Sequence, residues 1–225
     1  MTLYKFSAIA DFKTKQERIY EEVKNAIVNC AFKPGEQIVI RTLAAQMHVS
    51  EIPVREALKT LISESFVIEE RHNFFVAPIS AEEFLSMLDV KLELEKLAIR
   101  LTANRVNAEM IAYLRQFTQE MEQEYEEHDI ETYKQTHNAF HLALCKLCGV
   151  SYLSKAIESA FAHHIRGVTY FNLQSWEHNP SIGEHKAILA ALEQNDESAA
   201  EQHLVNNRRR ATEFYKKQMK EKALV

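Results

Sequence analysis

RTLAAQMHVSEIPVREALKTLI, residues 41–62, reads as two helices joined by a tight turn. Leu43, Ala44 and Met47 give the first helix an apolar side, and His48-Val49-Ser50 makes the turn. Ser50 offers a side-chain oxygen to cap the second helix. Pro53 falls in its first turn, where a missing N–H costs little. Val54, Ala57, Leu58, Leu61 and Ile62 recur at i, i+3, i+4, i+7 and i+8, so one side of that helix is buried. The other side carries Glu51, Ile52, Arg55, Glu56 and Lys59. A short helix, a turn and a second helix with a polar outer face is a geometry that enters a DNA major groove.

The flanks extend the pattern. Phe66-Val67-Ile68-Glu69 and Phe74-Phe75-Val76-Ala77 are β-prone runs on either side of Glu70-Arg71-His72-Asn73. A hairpin turn is expected there, with Asn73 supplying the positive φ. Upstream, a helix from about Thr14 places Ile19, Val23, Ala26, Ile27 and Cys30 on one side and stops before Pro34-Gly35. Cys30 reads as core rather than as a reactive thiol. Residues 1–12 read as a loose leader. Residues 1–78 are therefore expected to form a winged helix-turn-helix, and residues 79–225 a second, all-helical domain hinged at Pro78-Ile79-Ser80.

In the second part the period is helical throughout, with helices expected near 80–104, 107–127, 130–147, 151–172, 181–193 and 196–220. Ser80-x-x-Glu83 has capping-box spacing. Asn107, Asp129, Ser151, Ser181 and Asp196 stand at N-cap positions, and Gly149 and Asn195 near C-terminal ends. Six helices with short connections make a bundle, which can hold a site between facing helices. The fold class is thus mainly α, with a small β-hairpin wing.

Composition narrows the choices. The chain has 225 residues, 46% of them hydrophobic, enough for two modest cores. Four Gly and four Pro suit a helical protein. No apolar run is long enough to span a bilayer, and no signal-peptide pattern opens the chain. Three cysteines argue against a disulfide framework, so a cytoplasmic protein is expected. The net charge of −5 does not advertise nucleic-acid binding, but the placement of cations matters more than their total.

Lys33-Pro34-Gly35-Glu36, Arg41-x-Leu43-Ala44 and Val49-Ser50-x-x-Pro53-Val54-Arg55-Glu56-Ala57-Leu58-x-x-Leu61 resemble the GntR family of bacterial repressors. The helical part is similar to the effector-binding and dimerising domain of that family's FadR branch. The resemblance implies a ligand-responsive repressor that binds a near-palindromic operator as a homodimer, away from any membrane. Double-stranded DNA would be met by Arg41, Ser50, Glu51, Ile52, Pro53, Arg55 and Lys59, and by Arg71 and His72 in the wing. Glu51 stands where the family often has arginine, and its carboxylate would either favour a cytosine amino group or repel phosphate.

The ten histidines are spaced informatively. His137 and His141 lie one helical turn apart, and His185 opens another stripe with Ile188, Leu189 and Leu192. Imidazoles at i, i+4 joined by another from a facing helix suit a divalent transition ion. The branch resembled here holds its metal through a carboxylate-x-x-Phe-His run and two later histidines. Phe140-His141 and Glu184-His185 match. His137 stands in place of the carboxylate and Asn207 in place of the last histidine, with His203 one turn earlier as a substitute. The implied metal set is His137, His141, His185 and Asn207 holding one divalent ion, zinc or nickel. The implied effector is a small carboxylate met by Lys91, His164 and His203. Lys91 replaces the arginine usual at its position. The alternative for the histidines is a cavity of hydrogen-bonded core residues without metal.

Cys145-x-x-Cys148 sits inside an expected helix with no second pair, so neither redox nor metal chemistry is assigned to it. Tyr170-Phe171, Trp176 and His178 stand near a chain reversal and are expected to pack or to border the cavity. Two other classes compete: a helical-bundle metalloenzyme with an accessory winged-helix module, and a winged-helix module serving protein contacts alone. No histidine of the helical part has Glu three residues before it, and no nucleophile elbow or phosphate loop occurs.

Overall fold

A computed structural model describes residues 14–173 and 180–224. The chain divides into two compact units, Met1–Pro78 and Ile79–Val225. Trp176, His178 and the expected leader lie outside the described residues.

The first described element of unit one is α1 (Lys15–Val28), opened by a reciprocal cap between Thr14 and Glu17. Its buried stripe is Ile19, Val23 and Ile27. The helix ends before Cys30, which is half-buried and left-handed with φ 55°, so Cys30 does not continue the stripe. Strand β1 (Gln37–Ile38) follows a turn in which Gly35 takes φ 80°. Helices α2 (Ile40–Gln46) and α3 (Glu51–Ser63) form the helix-turn-helix, with left-handed His48 between them. Val54, Ala57, Leu58 and Leu61 are fully buried. Ser50 is the N-cap by position, but its side chain makes no capping bond, contrary to expectation. Lys24 meets Glu64 at 2.5 Å and Tyr20 donates to the same carboxylate at 2.7 Å, tying α1 to the end of α3.

Strands β2 (Val67–Glu70) and β3 (Asn73–Val76) pair antiparallel with Glu70 opposite Asn73. The expected hairpin gains β1 as a third strand, in the order β1-β3-β2. A two-residue strand has too little alternation to stand out in sequence. Positive φ falls on Arg71 (48°) and His72 (65°), and not on Asn73 as expected. Two consecutive left-handed residues make a type I′ turn, whose twist matches that of the strands.

The second unit holds α4 (Ala81–Ala103), α5 (Ala108–Glu126), α6 (Ile130–Lys146), α7 (Ser151–Tyr170), α8 (Pro180–Glu193) and α9 (Glu197–Glu221). Ser80, Asn107, Asp129 and Asp196 cap their helices through side-chain oxygens. Ser151 and Ser181 do not: α7 is preceded by Val150, and α8 begins at Pro180. The freed Ser181 hydroxyl instead meets Tyr133 Oη at 3.0 Å. Helix α4 packs against α6, α7 and α9, which makes it the central rod of this unit. Its fit to α7 depends on Gly167, because a Cβ there would fall 2.1 Å from the Phe84 ring. The main apolar cluster joins Leu114, Met121, Phe140, Leu144, Ile188, Leu192 and Leu204 from α5, α6, α8 and α9. No helix among the described residues is long and apolar enough to cross a membrane.

Candidate functional site

Two places carry chemistry, one in each unit. In the first, the buried stripe of α3 fixes which side chains face outward. Glu51, Ile52, Arg55 and Lys59 are exposed, and Pro53 is half-exposed. Ile52 is 74% exposed. Arg55 makes no bridge to Glu51 or Glu56. Its guanidinium lies 5.8 Å from the Phe74 ring centre, and Glu56 pairs with Lys59 at 2.9 Å. Arg41 at the start of α2, Ser50, and Arg71 and His72 at the wing tip are all exposed. Every DNA contact expected from the sequence is therefore open to a partner on this unit.

The second place is a cavity of about 350 Å3 within the helical unit, lined by α4, α6, α7, α9 and the start of α8. Lys91, His137, His164 and Asn207 all line it. His137, His141 and His185 gather so that one ring nitrogen of each lies within 4.8 Å of the others. His141 Nε2 and His185 Nε2 are 3.0 Å apart. Burial pushes the pKa of His137 down to about 3, helped by Arg208 and Lys91, and drives those of His141 and His185 well below the ordinary value. All three rings are therefore neutral near pH 7, the form that ligates metal.

Three neutral imidazoles at this separation fit a divalent transition ion. The Nδ1 atoms of His141 and His185 are buried without a hydrogen-bond partner. Asn207 is held by its neighbours: its Nδ2 donates to Glu184 Oε2 at 2.6 Å, and Arg210 holds the same carboxylate. The amide oxygen is the atom left for another group. His203 joins neither the three-histidine group nor the cavity lining. The buried side of α9 runs through Ala200, Leu204, Arg208 and Tyr215, and His203 sits at its edge.

Lys91 is 2% exposed, 3.1 Å from Glu95 Oε2 and 3.8 Å from the centre of the Phe161 ring. Arg208 takes the other Glu95 oxygen through Nε and Nη2. Burial lowers the Lys91 pKa to about 8, with Arg208 pushing the same way and Glu95 opposing. Burial also works against the Glu95 carboxylate, but Arg208 and Lys91 outweigh it and hold its pKa below the usual range. Two cations thus share one anion beside the cavity. His164 reaches Tyr215 Oη from Nε2 at 3.3 Å, and its Nδ1 has no partner.

Glu95, Arg208, Arg210 and Tyr215 were not singled out in the sequence. Lys91-x-x-x-Glu95 has the spacing of an ordinary surface pair, and Arg208-Arg209-Arg210 looks like a solvated run. The clue was that Arg208 shares the stripe of Leu204 and Tyr215. Cys145 and Cys148 are buried, and burial pushes the Cys145 thiol up, which makes it inert. Phe171 packs against Phe84, away from the histidine cluster.

Comparison with known proteins places both units. Residues 15–75 match the model for bacterial regulatory proteins of the gntR family, and residues 86–207 match the FCD domain. The chain is 32% identical over 174 residues to the Nta operon transcriptional regulator of Aminobacter aminovorans, covering 77% of this chain and 82% of that protein. It is 26% identical over 147 residues to the transcriptional repressor GlaR of Escherichia coli K12, covering 63% and 67%. The solved structure of E. coli McbR/YncC superimposes with a TM-score of 0.77 at 22% identity, covering 92% of this chain and 99% of that one.

Proposed function

Because the chain belongs to the GntR family of bacterial regulatory proteins and carries an FCD domain, it is a DNA-binding transcriptional regulator and not an enzyme, and we propose that it is a ligand-responsive repressor. The single observation behind this reading is the outer face of α3, where Arg55 has no carboxylate partner among the described residues, on a helix anchored from behind by Val54, Leu58 and Leu61. Arg55 would pair with guanine in the major groove, while Arg71 and His72 reach the neighbouring backbone or minor groove. Repression follows the naming of GlaR.

The active species is a homodimer on a near-palindromic operator, since two readers on two half-sites supply the affinity that one short helix lacks. It acts in the cytoplasm, where its operator is. Along α4, Met87, Val90, Leu94, Leu97 and Leu101 recur at spacings of 3, 4, 3 and 4, the repeat of a helix-pairing seam. Val90 is 59% exposed and Leu97 41%. This stripe supports pairing of two copies through the helical unit.

In the cavity, His137, His141 and His185 would hold one zinc or nickel ion, with Asn207 Oδ1 as a further donor. The ion would supply a Lewis-acidic centre for an anionic effector. Lys91 and Arg208, sharing the single Glu95 carboxylate, leave a positive surplus that favours a carboxylate. Neutral His137 in place of an anion leaves more of the ion's charge to be balanced by the effector. Occupancy changes operator affinity only insofar as the effector binds the DNA-competent and incompetent states unequally.

A gel shift with the DNA upstream of the protein's own gene tests the regulator reading: a discrete complex is expected, and none with specific or control DNA would overturn it. For the cavity, metal analysis of protein purified without a histidine tag should find one transition ion per chain, and much less in His141→Ala. Metal-free wild type, with regulation intact in that variant, would overturn the metal assignment.

A further inference from the structure

We infer that Ile52 reads the 5-methyl group of a thymine on the floor of the major groove, and so sets one base of each half-site. The inference rests on the DNA-binding reading above and goes beyond it to operator sequence. Among the large apolar side chains exposed on the described surface of the first unit, Ile52 is the most open, at 74%. It is the second residue of α3, and the N-terminal residues of a recognition helix are those that meet base edges.

Its direction is fixed by what α3 buries. Val54, Ala57, Leu58 and Leu61 form the inward stripe, and helical spacing puts Ile52 on the opposite side in line with Lys59. Arg55, Glu56 and Lys59, at i+3, i+4 and i+7, share that outward face. When this face enters a groove, its cations suit the guanine edge and the phosphate rim. Ile52 has no donor or acceptor. Set against a guanine, cytosine or adenine edge, it would strip water from polar groups and return no hydrogen bond. Thymine's methyl is the apolar group that the major groove displays, and contact with it buries both partners at no polar cost.

The test uses the full-length protein and a randomised duplex pool. Sequences retained by the wild type are aligned, and each thymine of the consensus is replaced in turn by deoxyuridine, which removes only the methyl. One position per half-site is expected to lose about fourfold in affinity for each methyl removed. In Ile52→Ala the thymine and uracil duplexes should bind alike. This variant leaves the core untouched, and circular dichroism checks its fold. Uracil duplexes that all bind as tightly as thymine ones, or a methyl effect that persists in Ile52→Ala, would overturn the inference while leaving DNA binding in place. Failure to enrich any sequence would overturn the regulator reading, and this inference with it.

Discussion

Lys91 shows the cost of holding a charged residue beside the cavity. Its folded-state pKa of about 8 lies below the ordinary 10.5, so at pH 7 the folded protein holds a proton that its environment disfavours. That difference corresponds to about 3 kcal/mol of destabilisation at neutral pH. The sign follows from proton counts. Between pH 8 and 10.5 the unfolded chain binds more protons at this site than the folded one, so this contribution to stability rises with pH. Lys91→Met keeps the volume and the Arg208–Glu95 pair, and should melt several degrees above wild type at pH 7. That gain should shrink as the pH approaches 10, and affinity for anionic effectors should fall. A variant less stable than wild type at pH 7 would show that Glu95 compensates Lys91 fully. The same residue marks the limit of the sequence. Its place in the site came from resemblance, while Glu95 and Arg208 stayed hidden because charged residues are ordinarily solvated. Only packing reveals which of three consecutive arginines turns inward. The histidines were easier to read, since i, i+4 imidazoles on an apolar stripe have few other uses. His203 lies apart from the cavity lining because a one-turn shift along α9 also rotates the side chain to the edge of the buried face.

At the scale of the element, the wing tip and the outer stripe of α4 are both less comfortable than they need to be. Arg71 and His72 hold left-handed backbone that glycine or asparagine would adopt more cheaply. His72→Gly should therefore stabilise the hairpin by about 1 kcal/mol, seen as a raised thermal midpoint of the first unit. Operator affinity should fall at the same time. Unchanged affinity would remove His72 from the interface. On α4, Leu97→Asp places a carboxylate on the proposed seam and should convert the proposed dimer to a monomer in light scattering, with weaker operator binding. Dimer mass retained in that variant would move the interface elsewhere. Helices of this length were plain in the sequence because their periodicity and caps agree, at Asn107, Asp129 and Asp196 for example. Ser151 and Ser181 misled because serine is equally at home one residue inside a helix. Strand β1, with two residues, had no period to detect.

For the whole molecule, the charge total was a poor guide and the arrangement a good one. A net charge of −5 coexists with an exposed Arg55 on the reading helix and a cationic surplus buried beside the cavity. Weak overall attraction to phosphate lowers non-specific binding and leaves base contacts to decide where the protein sits. Nothing in composition announces a two-part regulator; the order of motifs does, a helix-turn-helix and hairpin followed by an uninterrupted run of capped helices. Operator reading depends most on Arg55. Its most direct test is the affinity of wild type and Arg55→Ala for the selected operator, by fluorescence anisotropy at fixed salt with folding checked by circular dichroism. The variant is predicted to lose about tenfold or more with its fold intact. Equal affinity in the two proteins would contradict the claim that α3 is the DNA-reading element.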